Sequence, residues 1–352
     1  MTLLSSIASQ QIVPFVCSDP TSDVKSLLKI WDKGGVAFPL SFRLNTPLIE
    51  SLKKIVEGVR DSEAALYILT SASTAQPKIV RLSMDGLKAN AKGAIEFLNL
   101  TRKDRFALSL PLFHVGGIGI VIRSLLTGGE LLTDQFDGAS RYSFVPVQLK
   151  RFLKNPTSSS ASILVGGQTI PHPLCQKAQQ MGFEIVTTYG MSEMGSMITA
   201  NHLKETFHMG TPIAGRALKI AHDGEILVKG TSLFLGYLNH PSPVIDGWLP
   251  TRDLGYLKNG HLHVMGRKDR QFISGGENIH PETIERALHS LDWIKDAKVK
   301  PIADEEFGLR PCAFIHPFAN IEKTLAALSE LLPKHLLPVI FKALEERTKL
   351  SG

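Results

Sequence analysis

The sequence is poor in cysteine: 352 residues contain only Cys17, Cys175 and Cys312. These three are far apart and odd in number, which excludes a disulfide framework and a cysteine metal cluster. Such scarcity fits a reducing, cytoplasmic setting. Long apolar runs are also missing. A membrane-spanning helix needs ~18 uninterrupted apolar residues. The best stretch, Phe106 to Leu126, is broken by Ser109, Pro111, His114, Gly116, Gly117, Gly119 and Arg123. The opening MTLLSSIASQQIVPFVCSD has neither a basic n-region nor a sustained apolar core, so no signal peptide is expected. There is no internal repeat, no low-complexity linker and no G-x-x-x-x-G-K-[ST] phosphate loop.

The composition that remains is ordinary. Hydrophobic residues make up 43% and charged residues 20%, too apolar for disorder. Domains commonly run to about 100–200 residues, so this length predicts two. The net charge is +6, from 39 Lys and Arg against 33 Asp and Glu. The basic residues are scattered, and no basic face or nucleic-acid module is visible, so no nucleic-acid partner is expected. Small anionic ligands such as nucleotides stay open. No membrane insertion is expected. Oligomeric state is left open, a homo-oligomer included.

Short apolar runs alternate with helical patterns through the first two thirds. Ala64–Thr70 reads as a buried strand, and Ser83 caps a helix over Met84–Asn99. Arg105–Leu110 reads as a strand. An apolar helix then follows His114 and stops at Gly128-Gly129. Tyr142–Val145, Ser162–Val165 and Glu184–Thr188 are further strands. This rhythm predicts an α/β body of mainly parallel sheet flanked by helices. The style changes near Gly210. His222-Asp223-Gly224 and Asn259-Gly260 each signal a hairpin, and therefore a small antiparallel region. A small α+β segment follows, with a Pro-started helix at Pro281–Ser290, strands near Ala297–Ile302 and Cys312–His316, and a helix near Ile321–Leu332.

Five segments carry chemistry. Thr70-Ser71-Ala72-Ser73-Thr74 leads to Lys78 and supplies hydroxyls, backbone N–H groups and a point charge. That set suits a phosphate cradle and equally a polar surface loop. His114 lies between apolar residues and a Gly pair, in a substrate pocket or as a core histidine. Tyr189-Gly190-Met191-Ser192-Glu193 ends a strand, where ligands bind in open α/β sheets. Tyr suits stacking on a base, and Ser and Glu suit a phosphate and its Mg²⁺; a turn with a solvated Glu fits too. Gly166-Gly167 follows another strand and permits close backbone approach. Asp253 suits ribose hydroxyls or a simple turn. Gly266-Arg267-Lys268-Asp269-Arg270 sits at the proposed boundary as a hinge or a solvated basic linker.

Singly these are weak. In this order, LPLFHVGGIGI, SFVPVQLKRFL, LVGGQTIP, YGMSEMGSM, TRDLGYLKNGHLHVMGRKDRQFISGGENIHPETIE and PIADEEFGLRP resemble the adenylate-forming acyl-CoA synthetase superfamily. The likeness runs from about Ala64 to the end. Within the superfamily it is similar to the branch that activates o-succinylbenzoate in menaquinone biosynthesis. The resemblance implies an adenylation body over 1–268 and a small mobile lid over 269–352, with Asp269 as hinge. It implies ATP, Mg²⁺ and CoA acting with a small carboxylate through an acyl-adenylate. Lys78, Thr70, Ser71, Ser73 and Thr74 would hold the β- and γ-phosphates. Glu193 would bind the metal, Ser192 a phosphate, and Tyr189 the adenine beside Gly190. Asp253 and Arg267 would contact the ribose, and His114 would flank the acyl pocket. A ligase for another carboxylate, or a nucleotide-binding member without turnover, are the alternatives.

Three departures are visible. The family has Gly where this chain has Ala72 and Ala75. The family's early N-terminal segments have no counterpart here. Its terminal Lys follows a Ser-Gly such as Ser351-Gly352, so the role is not carried to Lys349. If either position needs φ > 0, Ala there costs on the order of 1 kcal/mol. Ala72→Gly with Ala75→Gly should then tighten ATP about fivefold in calorimetric titration, the factor for ~1 kcal/mol. Unchanged affinity would show that neither position needs that backbone.

Overall fold

A computed structural model describes residues 9–70, 77–158, 160–204, 206–318 and 320–344. Two sheets form the body. The first has five strands in the order Ile12–Cys17, Val36–Ser41, Leu66–Thr70, Lys78–Leu82 and Gly236–Tyr237. Its first three strands are parallel and the last two antiparallel. The second has seven, in the order Thr211–Pro212, Ser196–His202, Glu184–Met191, Ser162–Val165, Arg141–Phe144, Arg105–Ala107 and Glu130–Leu132. Five are parallel, Ser196–His202 returns antiparallel to them, and Thr211–Pro212 pairs antiparallel with Ser196–His202.

The expectation of a mainly parallel sheet therefore resolves into two mixed sheets. A parallel return needs a crossover of a dozen or more residues. The connections from Thr70 to Lys78 and from Met191 to Ser196 are too short for one, so both strand pairs are antiparallel. The expected Arg105–Leu110 strand is only Arg105–Ala107.

Helices Met84–Phe97 and Val115–Thr127 fill the core that both sheets share. Ser83 caps the first by accepting from the Gly86 N–H at 3.0 Å. Gly128, at φ 70°, ends the second. Alternation across a strand assigns the faces of the seven-stranded sheet. Leu164 packs towards the shared core, whereas Ile163 and Val165 enter a second core with Tyr142, Leu149 and Cys175. No helix among the described residues is long and apolar enough to cross a membrane.

The antiparallel region is a four-stranded sheet of Arg216–Ile220, Glu225–Gly230, Leu249–Lys258 and His261–Arg267. Asn259 and Gly260 both have positive φ, as a two-residue hairpin turn requires. The remaining elements include Pro281–His289, Asp296–Asp304, Gly308–His316 and Ile321–Leu331. They enclose a separate core from Phe272 to Leu336, giving a small α+β unit. It meets the preceding chain through Arg286, whose Nη2 donates to the Val264 carbonyl at 3.2 Å, and Lys150, whose Nζ donates to the Ile294 carbonyl at 3.3 Å.

The segment before Gly210 stitches the second sheet to the third. Met209 N–H donates to Leu262 O and Leu262 N–H to Gly210 O, both at 2.8 Å. Gly210 has φ 79°, and a Cβ there would run into the Ala200 carbonyl. Gly260 has the same φ with open space around it. Gly210→Ala should cost on the order of 3 kcal/mol or more in urea unfolding, and Gly260→Ala about 1 kcal/mol. Equal losses would show that the Ala200 contact is not limiting.

Candidate functional site

The strand Glu184–Met191 ends in a tight reversal. A single 3₁₀ turn, Ser192–Met194, is followed by Gly195 at φ 67° and the returning strand Ser196–His202. Helix Met84–Phe97 fixes this reversal from behind. Asn90, 2% exposed, donates through Nδ2 to the Met194 carbonyl at 2.9 Å and the Met197 carbonyl at 3.0 Å. Glu193 is thus held at the strand's carboxyl end and is 9% exposed. Its Oε1 accepts from the Tyr237 hydroxyl at 2.8 Å. Its Oε2 has no hydrogen-bond partner among the described residues. A buried carboxylate with one oxygen committed and one available fits a hard divalent cation such as Mg²⁺.

The Tyr237 ring also carries Lys78, whose Nζ lies 4.8 Å from the ring centroid. Lys78 opens the strand that faces Thr70, and the Thr70 hydroxyl donates to the Lys78 carbonyl at 3.2 Å. Ser71, Ser73 and Thr74 lie outside the described residues, as do Ala72 and Ala75. Ser192 is half-buried at the start of the turn beside Glu193.

A second group sits next to the first. Tyr189 donates its hydroxyl to Asp253 Oδ2 at 2.7 Å, and Arg267 Nη1 donates to Asp253 Oδ1 at 3.2 Å. Arg267 Nη2 reaches Asp269 at 3.3 Å. Burial raises the Asp253 pKa above the ordinary carboxylate value, although Tyr189 and Arg267 both favour its ionised form. Burial also raises the Tyr189 phenol. The Arg267 charge reaches the Tyr237 phenol, so the two groups share one electrostatic neighbourhood. The neighbouring basic residues are paired. Lys268 bonds Asp223 at 2.6 Å and Glu225 at 2.8 Å, and Arg270 bonds Glu282 at 2.9 Å and Glu285 at 2.6 Å.

Gly166 and Gly167 follow the adjacent strand. A Cβ at Gly166 would press on Thr188, and Gly167 has φ 77°. His114 precedes helix Val115–Thr127, its ring 4.7 Å from Phe113. The residue is exposed to solvent, with its ring against Phe113. Burial, and then the charge of Arg43, lower its pKa, so it is neutral at pH 7.

Three residues were not singled out from sequence. Tyr237 and Asn90 carry no motif signal. Arg123 does carry one: it is a charge inside an apolar helix. Arg123 is 3% exposed, and its guanidinium has no hydrogen-bond or ion-pair partner among the described residues. Desolvation lowers its pKa to about 10, which leaves it a cation at neutral pH. Gly119 makes room for it: a Cβ there would lie 3.0 Å from Arg123 Nη1 and 3.9 Å from Ser196 Oγ. The buried cation therefore sits beside the reversal that carries Glu193. It also lines a small cavity with Arg141, Ser143 and Ser162.

An α/β body of two mixed sheets, a small antiparallel sheet and a compact α+β end define the acyl-CoA synthetase fold. The AMP-binding enzyme family model matches residues 18–238, and the chain belongs to that family. The 2-succinylbenzoate–CoA ligase of Haemophilus influenzae is 36% identical over 298 residues, 79% of this chain and 66% of that one. The ligase of the same name from Escherichia coli is 36% identical over 285 residues, 76% of this chain and 63% of that one. The chain thus spans just under two thirds of the length of these relatives. The structure of an E. coli MenE variant with bound OSB-AMS has a TM-score of 0.86 at 28% identity, covering 98% of this chain and 86% of that one.

The raised pKa of Asp253 has a sign. A raised folded-state pKa contributes stability that is full below the ordinary carboxylate value and lost as pH rises through the raised one. At neutral pH the ionised group therefore costs native stability. Asp253→Asn should raise the urea midpoint at pH 7 and leave it unchanged at pH 3. A lower midpoint at pH 7 would show that the ion pair with Arg267 outweighs burial.

Proposed function

We propose that the chain is an AMP-forming acid–thiol ligase that converts o-succinylbenzoate, ATP and CoA to o-succinylbenzoyl-CoA, AMP and pyrophosphate. The observation that carries the reaction class is the meeting of Lys78 and Glu193 at Tyr237, beside the Tyr189–Asp253–Arg267 group. A cation and a buried carboxylate there suit a metal-bound triphosphate. The second group suits a nucleoside. Similarity to the 2-succinylbenzoate–CoA ligases supports the same reading.

In the first half-reaction a carboxylate oxygen attacks the α-phosphorus of ATP. The bond to the bridging oxygen breaks, and pyrophosphate leaves with the electron pair. Lys78, Thr70, Ser71, Ser73 and Thr74 hold the β- and γ-phosphates, and Ser192 a phosphate oxygen. Glu193 holds Mg²⁺, which when bound neutralises charge on the phosphate oxygens. Tyr189, its hydroxyl fixed on Asp253, presents its ring to adenine beside Gly190. Asp253 and Arg267 hold the ribose. In the second half-reaction the CoA sulfur attacks the acyl carbon, AMP leaves, and the thiol proton passes to solvent. Neutral His114 flanks the acyl group, with Gly166 and Gly167 allowing close backbone approach. The lid, residues 269–352, turns about Asp269 between the two steps and keeps water from the adenylate.

Arg123 supports the finer substrate. An unpaired buried cation costs several kcal/mol. A substrate with a second carboxylate, as o-succinylbenzoate has, offsets that cost when it binds. A place in menaquinone biosynthesis and in the cytoplasm follows from that substrate. Protein given Mg-ATP, CoA and o-succinylbenzoate should release equal pyrophosphate and AMP. Folded protein that releases no pyrophosphate with any of a panel of carboxylates would overturn the enzyme reading. Arg123→Met should raise KM for o-succinylbenzoate by about tenfold or more, the size of a lost charged hydrogen bond, and spare benzoate. Equal effects on both acids would remove Arg123 from substrate recognition.

A further inference from the structure

We propose that Tyr237 and Asn239 form a clamp that positions the metal-binding and phosphate-binding groups relative to each other. They are positioning residues that act through Glu193 and Lys78, and the inference rests on the proposed roles of those two.

Glu193 and Lys78 come from different sheets. Glu193 ends a strand of the seven-stranded sheet, and Lys78 opens a strand of the five-stranded one. Among the described residues no backbone hydrogen bond joins the Glu193 turn directly to the Lys78 strand. The segment 234–239 links them. Phe234 N–H donates to the Glu193 carbonyl at 2.8 Å, which anchors the segment on the Glu193 turn. Leu235 N–H then donates to the Arg81 carbonyl and Leu238 N–H to the Ile79 carbonyl, both at 2.9 Å, which anchors it on the Lys78 strand. Gly236 and Tyr237 pair with Arg81 and Val80 as an added edge strand.

The side chains complete the link. The Tyr237 hydroxyl donates to Glu193 Oε1 at 2.8 Å while its ring face holds the Lys78 ammonium at 4.8 Å. One residue therefore addresses a carboxylate through its edge and a cation through its face. Phe234 braces the ring edge-on at 4.9 Å between centroids. Asn239 fixes the backbone on both sides of Lys78. Its Oδ1 accepts from the Ile79 N–H at 3.3 Å, and its Nδ2 donates to the Pro77 carbonyl at 3.2 Å. Donors that orient a ligating carboxylate tune its metal affinity.

The test separates the two halves of the clamp by steady-state kinetics of pyrophosphate release, with melting temperature as the check on folding. Tyr237→Phe keeps the ring and loses the hydroxyl. It should raise the Mg²⁺ concentration for half-maximal rate about tenfold, as loss of a charged hydrogen bond does, and leave KM for ATP at saturating Mg²⁺ near its original value. Tyr237→Leu loses both and should in addition raise KM for ATP about fivefold, within the range of a cation–π contact. Asn239→Ala should raise KM for ATP alone. Glu193→Gln and Lys78→Ala serve as references for the metal and the phosphate effect. If both references change as assigned while Tyr237→Phe and Asn239→Ala behave like the original protein, the clamp is overturned and the site reading stands. If neither reference changes Mg²⁺ or ATP dependence, the site reading falls and the clamp falls with it. A uniform drop in kcat with unchanged Mg²⁺ and ATP dependence marks a merely structural role and also overturns the clamp.

Discussion

The chain reverses between Met191 and Ser196 with no room for a side chain at Gly190, where a Cβ would meet the Ser196 carbonyl. That reversal places Tyr189 on one side, Ser192 and Glu193 at the tip, and Ser196 on the return. Asn90 holds it from the helix below by bonding the carbonyls of Met194 and Met197. A buried amide bridging two carbonyls leaves both unpaired if it is lost, at about 1–3 kcal/mol for each group. Its own Oδ1 is buried without a partner, so the contact is not cost-free. The rest of the site is arranged around this point. Asp253 is reached through Tyr189, Tyr237 through Glu193, and the Arg123 guanidinium lies close to Ser196.

The same region concentrates charge that the fold alone does not satisfy. Arg123 is a cation without a partner among the described residues, Glu193 has one carboxylate oxygen committed, and Asp253 is pushed towards its neutral form by burial. Buried charges are costly unless paired. Structural cores avoid them, whereas ligand sites collect them, because the ligand supplies the missing partner. The contrast with Asp61 is instructive. Asp61 accepts from Arg81 and Tyr67 at 2.7 and 2.8 Å, and these bonds hold its pKa down at about 2. Its network is closed, and it pins the Leu66–Thr70 hairpin instead of awaiting anything.

Local chemistry explains which parts were legible in the sequence. Ser83, Gly128 and Asn259-Gly260 mark element ends through capping and positive φ, which are properties of one or two residues. The site group after Thr188 is visible as polar residues at a strand end, whereas Asp253 and Arg267 are visible through the family resemblance; Asp253 lies inside the strand Leu249–Lys258, not in the simple turn that its sequence also suits. The strand Lys78–Leu82 is not legible in the sequence, because Arg81 interrupts its apolar run; contacts with Asp61 and Glu63, about twenty residues earlier, make that position acceptable. Tyr237 was invisible for a similar reason. Its partners, Glu193 and Lys78, are distant in sequence, and nothing in Gly236-Tyr237-Leu238 announces them. Arg123 was legible only as an oddity, since a lone charge in an apolar helix shows a need for a partner without showing which one.

The basic stretch at 266–270 shows how pairing, more than charge count, sets its character. It reads in sequence as either a hinge or a solvated linker. Arg267 and Lys268 pair backwards, with Asp253, Asp223 and Glu225 of the antiparallel region. Arg270 pairs forwards, with Glu282 and Glu285 of the following helix. The direction of pairing therefore changes across Asp269, the residue proposed as the hinge. The Arg267–Asp269 pair, at 3.3 Å, reaches that point, and Arg267 is 39% exposed. Such exposed pairs contribute about 0.2–1 kcal/mol. The tighter restraint lies elsewhere. Glu282 presses on Gly266, where any side chain would collide with its carboxylate. Its Oε2 is buried without a hydrogen-bond partner among the described residues, and burial raises its pKa. This contact holds the α+β unit against the antiparallel sheet at a cost.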